Sequence, residues 1–204
     1  MNKNALIIFV RNAELGKVKT RLAKTLGDEK TLEVYQQLLL HTISVTKDLN
    51  VDKFVFYNKE INKNDIWENN IYKKELQTGN DLGEKMKNAI THLLNLGYEK
   101  CVIIGSDLFD LDVTHINKSF EKLNINDFVI GPAQDGGYYL LGLKKVVSTI
   151  FENKEWSTES VLTDTLRDLQ NHSVFQLEIL NDIDTEEDLL KSAYYRKNYI
   201  ENGI

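Results

Sequence analysis

Short unbroken apolar runs recur along this chain, and helix-spaced segments separate them. Residues 5–10 read ALIIFV, 53–57 KFVFY, 100–105 KCVIIG, 127–133 DFVIGPA and 138–143 YYLLGL. A strand with one wet face alternates apolar and polar residues, so an unbroken apolar strand needs cover on both faces. The segments between supply that cover. Residues 28–49 set Leu32, Tyr35, Leu38, Leu39, Thr42, Ile43 and Leu49 at helical spacing, with Asp28 as the N-cap. Asp81 and Glu84 form a capping-box pattern ahead of a helix reaching Leu96, and Thr185 and Asp188 form a second one, opening a C-terminal helix through Tyr194 and Tyr195. Further helices are expected over 114–123, 144–151 and 158–169, an edge strand over 71–77 and a late strand over 173–177. Strands alternating with helices predict an α/β fold with a mostly parallel sheet and helices on both faces. The Gln134-Asp135-Gly136-Gly137 turn between two apolar runs predicts a hairpin, hence an antiparallel strand and a mixed sheet.

Length and composition set the remaining bounds. A chain of 204 residues is expected to form one domain over 1–204, and its single proline, Pro132, leaves no proline-rich linker. Hydrophobic residues at 42% and charged residues at 27% fit a globular class rather than disorder. The polar, Asn- and Lys-rich stretch 58–70 reads as a variable surface loop. A formal charge of −6 argues against a nucleic-acid partner, since such domains carry a basic surplus. The one cysteine, Cys101, can form neither an intramolecular disulfide nor a Cys-based zinc site, and its apolar neighbours mark it as a buried structural thiol. Residues 5–10 are too short for a signal-peptide core, and no run approaches the roughly 18 apolar residues of a membrane span, so a cytoplasmic location and no membrane span are expected.

In open α/β sheets ligands sit beyond the carboxyl ends of the strands, so the loops after strands are where chemistry is expected. The loop after the first run holds Arg11, Lys17, Lys19 and Arg21 within eleven residues, with Gly16 among them. Guanidinium forks and ammonium groups suit phosphate oxygens, and a glycine lets backbone approach a ligand. The spacing matches neither a Walker loop nor a dinucleotide fingerprint, and the plainer reading is a solvated basic loop. Asp107 ends the run KCVIIG; a strand-end carboxylate can hold Mg²⁺ or Mn²⁺, and equally can cap a turn. Asp182 and Asp184 are spaced i,i+2, share a face in extended chain and could complete a metal site, although Asp184 could instead serve the last helix. Asp110 and Asp112 read as loop or cap residues. Asp135 beside two glycines suits a ligand turn or a plain hairpin. Four scattered histidines give no support for a His metal site or a Ser–His–Asp triad.

Six segments together resemble one bacterial family. They are FVRNAELGKVKTRLAKTLG, QTGNDLGEKM, IIGSDLFDL, GPAQDGGYYLLGL, FENKEWST and LNDIDTEEDL, in order along most of the chain. The sequence resembles the DUF2064-type glycosyltransferases, also called selenodomain-associated or arsenosugar-biosynthesis transferases, of the nucleotide-diphospho-sugar transferase (GT-A) superfamily, near the 2-phospho-L-lactate guanylyltransferases. The resemblance implies a Rossmann-like GT-A sheet, Lys17, Lys19 and Arg21 facing nucleotide phosphates, and Asp107 in the superfamily's metal-binding position with Asp182 and Asp184 joining it. It departs from the family at Leu108 and Phe109, where Cys and Pro are usual, at Ala13, where Pro is common, and at Lys85, where Arg is. The implied reaction is metal-dependent glycosyl transfer from a nucleotide sugar to a small acceptor. The alternative is nucleotidyl transfer from a nucleoside triphosphate to a small phosphorylated acceptor, with pyrophosphate leaving. Catalytic roles are expected for Asp107 and Lys19, with Asp135 as the candidate base, and phosphate contacts for Arg11, Lys17, Lys19 and Arg21.

Overall fold

A computed structural model describes residues 3–201; the outermost residues of the expected 1–204 domain lie outside them. Seven strands form one sheet: β1 (Asn4–Val10), β2 (Asp52–Tyr57), β3 (Tyr72–Leu76), β4 (Lys100–Ile104), β5 (Phe128–Pro132), β6 (Tyr138–Leu143) and β7 (Val174–Gln176). Their order is β3-β2-β1-β4-β6-β5-β7. Only β6 runs antiparallel, against both β4 and β5, which makes the sheet mixed and mostly parallel, as the hairpin signal requires. β1 pairs with β2 on one side and with β4 on the other, both parallel. The chain leaves β1 toward β2 and leaves β4 toward β5, on the other side, so the two connections part at the carboxyl ends of β1 and β4 and a crevice opens there.

The apolar runs are buried on both faces. From β1, Leu6, Ile8 and Val10 point into one core with Leu22, Leu38, Ile116 and Leu189. Ala5 and Ile7 point into the other, with Ile90, Leu93, Ile150 and Leu169. This period of two carries each run through both layers. Helices α1 (Thr20–Leu26), α2 (Asp28–Thr46), α4 (Val113–Lys122), α6 (Glu186–Lys191) and α7 (Ala193–Tyr195) pack on the first core, and α3 (Leu82–Asn95) and α5 (Val161–Asp168) on the second.

Several boundaries differ from the sequence reading. The basic segment does not stay a loop to Arg21: α1 begins at Thr20, so Arg21 is helical. Gly27, at φ 79°, both ends α1 and caps α2, which puts Asp28 in the first turn of α2 rather than at its cap. There its charge still meets the positive end of the helix. Residues 144–151 give only a 3-10 turn at Ser148–Phe151. Two adjacent β-branched residues, Val146 and Val147, precede it and disfavour helix. Of the Asp81–Glu84 box only one half forms, because the Glu84 side chain accepts from Asn80 N instead. The Thr185–Asp188 box forms in both directions. Beyond it the last helix breaks at Ser192 (ψ 119°), whose hydroxyl donates to Asp110 Oδ1 and accepts from Tyr195 N. The 58–70 loop is irregular, as expected, but not free: Trp67 is buried edge-on against Tyr72, and Asp65 accepts from Tyr57 and Lys74.

Candidate functional site

The crevice beyond β1 and β4 is built from three loops. The first, residues 11–19, leaves β1, where the Tyr35 hydroxyl bonds both the N–H and the carbonyl of Arg11 and so ties the loop to α2. Gly16 sits at φ 71° against the Asp28 carboxylate, only 3.3 Å from where a Cβ would stand. The loop ends at Lys19, which holds a left-handed backbone (φ 45°, ψ 50°) as it enters α1. Such a conformation costs a non-glycine residue about 1–3 kcal/mol and persists only where surroundings hold it. Here it turns the side chain inward. The Lys19 ammonium donates to Asp107 Oδ2 at 2.8 Å and to Asp184 Oδ1 at 3.2 Å.

The second loop follows β4. Gly105 lets Asp107 fold back over it: a Cβ there would stand 2.7 Å from Asp107 Oδ1. The third loop is pinned to the second by backbone, Ile183 N donating to Asp107 O at 3.0 Å. That bond sets Asp182 and Asp184 on either side of it. Asp184 Oδ2 also accepts from Arg21 at 3.3 Å. Of the four cations anticipated to bind phosphate, Lys19 and Arg21 thus reach the carboxylates. Lys17 turns outward to Glu14, which Lys59 shares. Arg11 is exposed, near enough for its charge to act on Asp107.

Protonation follows from these neighbours. Burial pulls the Lys19 pKa down, but the charges of Asp107 and Asp184 outweigh it and hold it above the usual lysine value. Burial likewise opposes ionisation of Asp107, and Lys19 overcomes it, holding the carboxyl below the usual range. Among the described residues no cation forms an ion pair with Asp182, and Lys19 acts on it only weakly, through its charge. Burial, then the charges of Asp107 and Asp135, push it up to about 7. Two carboxylates are therefore crowded with too little positive charge between them.

Among the described residues no three His, Cys, Asp or Glu side chains gather as a ligand set. Asp184 shares Lys19 with Asp107 and is engaged by Lys19 and Arg21, while Asp182 lies close enough to Asp107 to feel its charge. Asp107 and Asp182 remain as a pair. Two hard oxygen ligands fit Mg²⁺ or Mn²⁺, which commonly takes one or two carboxylates and completes its shell with water and substrate phosphate. The raised pKa of Asp182 is the charge imbalance such an ion would relieve.

A cleft of about 640 Å³ opens beside this cluster, lined by Arg21, Asp135, Glu155, Ser157, Thr158, Glu159 and Ser160. Asp135 Oδ1 accepts from Gly137 N within the β5–β6 turn. Gly136, at φ 87°, carries the far wall: Leu162 N donates to its carbonyl, and a Cβ on it would stand 2.4 Å from Glu159 O. Ser157 and Thr158 stand in the sequence only as the end of the FENKEWST segment, and Tyr35 and Ser160 carry no motif; each matters here through the fold. Asp112 caps α4 and Asp110 receives Ser192, so both are structural here.

The seven-stranded mixed sheet with its switch-point crevice is the α/β fold of the nucleotide-diphospho-sugar transferase that superposes on it. Residues 41–158, more than half of the chain, match the family described as "Uncharacterized protein conserved in bacteria (DUF2064)", and the chain belongs to that family. No curated protein matches it. Among solved structures, a "putative nucleotide-diphospho-sugar transferase" from Desulfovibrio desulfuricans G20 superposes with a TM-score of 0.83 at 29% identity, over 97% of this chain and 96% of that one. A 4-diphosphocytidyl-2C-methyl-D-erythritol synthase from Anaerococcus prevotii DSM 20548 shares the fold at TM-score 0.57 and 13% identity, over 96% and 98% of the chains. So does a Mycobacterium tuberculosis H37Rv protein solved in complex with manganese, at 0.55 and 10% identity, over 94% and 97%.

Proposed function

We propose that this protein is a metal-dependent transferase that moves a glycosyl group from a nucleotide sugar to a small acceptor. The observation that carries the reading is the buried Lys19 ammonium shared by Asp107 and Asp184, one carboxylate from the end of β4 and one from far along the chain, at the switch point of the sheet. The name of the 29%-identical relative supports the same class.

Asp107 and Asp182 would hold Mg²⁺ or Mn²⁺, which neutralises a diphosphate leaving group when bound. The chain's own residues do the rest. Lys19 and Arg21 supply positive charge beside the place where negative charge develops on the departing phosphates. Asp184 orients both. Asp135 lines the cleft beside Arg21, with Glu155 and Glu159, and would serve as the base that takes a proton from an acceptor hydroxyl there. The hydroxyls of Ser157, Thr158 and Ser160 offer hydrogen bonds to position that acceptor.

Thermal melts with UDP- and GDP-sugars and with nucleoside triphosphates, each with and without Mn²⁺, test the reading. Stabilisation by a nucleotide sugar with Mn²⁺, and release of free nucleoside diphosphate on adding acceptors, are expected. No shift with any nucleotide would end the transferase reading. Pyrophosphate release from a triphosphate would turn it to nucleotidyl transfer.

A further inference from the structure

We propose that Lys19 is a built-in rival of the divalent ion: its ammonium holds Asp107 until a phosphate-bearing ligand draws it away, so that metal and nucleotide bind cooperatively. This rests on the metal-dependent reading above.

The geometry makes the rivalry unavoidable. Lys19 is only 8% exposed, and its ammonium lies 2.8 Å from Asp107 Oδ2. The other oxygen of Asp107 is folded over Gly105. An ion arriving at Asp107 and Asp182 therefore meets a positive charge already seated on the first of them. Two cations sharing one carboxylate repel, and more strongly in a buried site than in water. The left-handed backbone of Lys19 is what aims the side chain there, and no side chain caps α1 in its stead.

Yielding Asp107 does not free Lys19 altogether. Asp184 Oδ1 holds it at 3.2 Å, and Arg21 fixes Asp184 through Oδ2 at 3.3 Å. The ammonium is thus tethered next to the crevice, where a phosphate offers it a replacement anion. A ligand that relieves the competition raises metal affinity, and by linkage the metal raises that ligand's affinity equally. Metal alone binds weakly, and nucleotide alone finds Lys19 occupied.

The test is Mn²⁺ titration of the full chain at neutral pH, followed by the electron paramagnetic resonance signal of free Mn²⁺. Wild type is compared with Lys19→Met, Lys19→Gln and Lys19→Arg. Without nucleotide, the Met and Gln variants should bind Mn²⁺ about tenfold tighter than wild type, and the Arg variant no tighter. With UDP present the gap between wild type and Lys19→Met should narrow. Adding Asp182→Asn to Lys19→Met should abolish binding, which identifies the site. If Lys19→Met does not fold, Lys19→Gln, which is neutral but retains N–H donors for the carboxylates, gives the same reading. Equal or weaker Mn²⁺ binding in the neutral variants, lost again on Asp182→Asn, would overturn the role of Lys19 and leave the metal reading standing. No Mn²⁺ binding by any of the proteins would overturn both.

Discussion

Asp182 and His41 are single residues whose burial works against their own charge. Asp182 is half-buried, near Asp107 and Asp135, with its carboxyl pushed up to about 7 from an ordinary 3.8. A folded-state pKa above the unfolded one means a contribution fully present at low pH and lost as pH rises through the folded value. At about pH 8 the carboxylate should therefore weaken the fold, and Asp182→Asn should raise Tm, at roughly 2–4 °C per kcal/mol for a chain of this size. A lowered Tm in a metal-free melt would show that the carboxylate is compensated. His41 works in the opposite sense. Its Nε2 donates to Leu111 O, and burial lowers its pKa from 6.5. The unfolded chain then takes up a proton, as pH falls below 6.5, that the folded chain does not. Stability is lost on that side, so the drop in Tm between about pH 7.5 and 5.5 should be smaller in His41→Gln than in wild type. Neither effect was legible in the sequence: a lone Asp or His names its chemistry, but its neighbours come from elsewhere in the chain.

Among the elements, the strands were the most legible and the helix ends the least. An unbroken apolar run needs two covered faces, whatever its neighbours, and each of the five runs became a strand. The Asn-Asp-Ile-Asp-Thr segment was legible as a cap plus two spare carboxylates; which cation each would meet was not. The turn between β5 and β6 shows why. Asp135-Gly136-Gly137 reads as a hairpin turn, and it is one. Its second task, supporting the 155–160 wall of the cleft, exists only because Glu159 packs on Gly136. Gly136→Ala should therefore do more than strain the left-handed backbone, which costs about 1–2 kcal/mol. The added Cβ would meet Glu159 O at 2.4 Å, so the wall must move. The expected result is a lower Tm together with loss of acceptor binding; a fall in Tm with unchanged acceptor KM would separate the turn from the cleft.

At the scale of the whole molecule, the sheet divides two cores, and the site lies at one end of the line between them. Ile90 of α3 is fully buried in the core opposite α2. Ile90→Ala should destabilise by about 2–5 kcal/mol, since a cavity is left behind. Its melt should still be a single transition, because β1 and β4 belong to both cores; two separated transitions would show that the layers unfold independently. The alternation of apolar runs and amphipathic segments settled by itself that this chain folds as an α/β sheet covered on both faces, because burial of strand and helix faces is a local property of sequence spacing. The loops rich in charge were visible in the same way, and so was the family they resemble. Which charges pair was decided only by the tertiary structure. The bond between Ile183 and Asp107, the left-handed turn at Lys19 and the start of α1 before Arg21 together bring Asp184 to the cations and leave Asp182 beside Asp107. Charges act through space, and the spaces between these loops are set by the order of the strands rather than by the order of the residues.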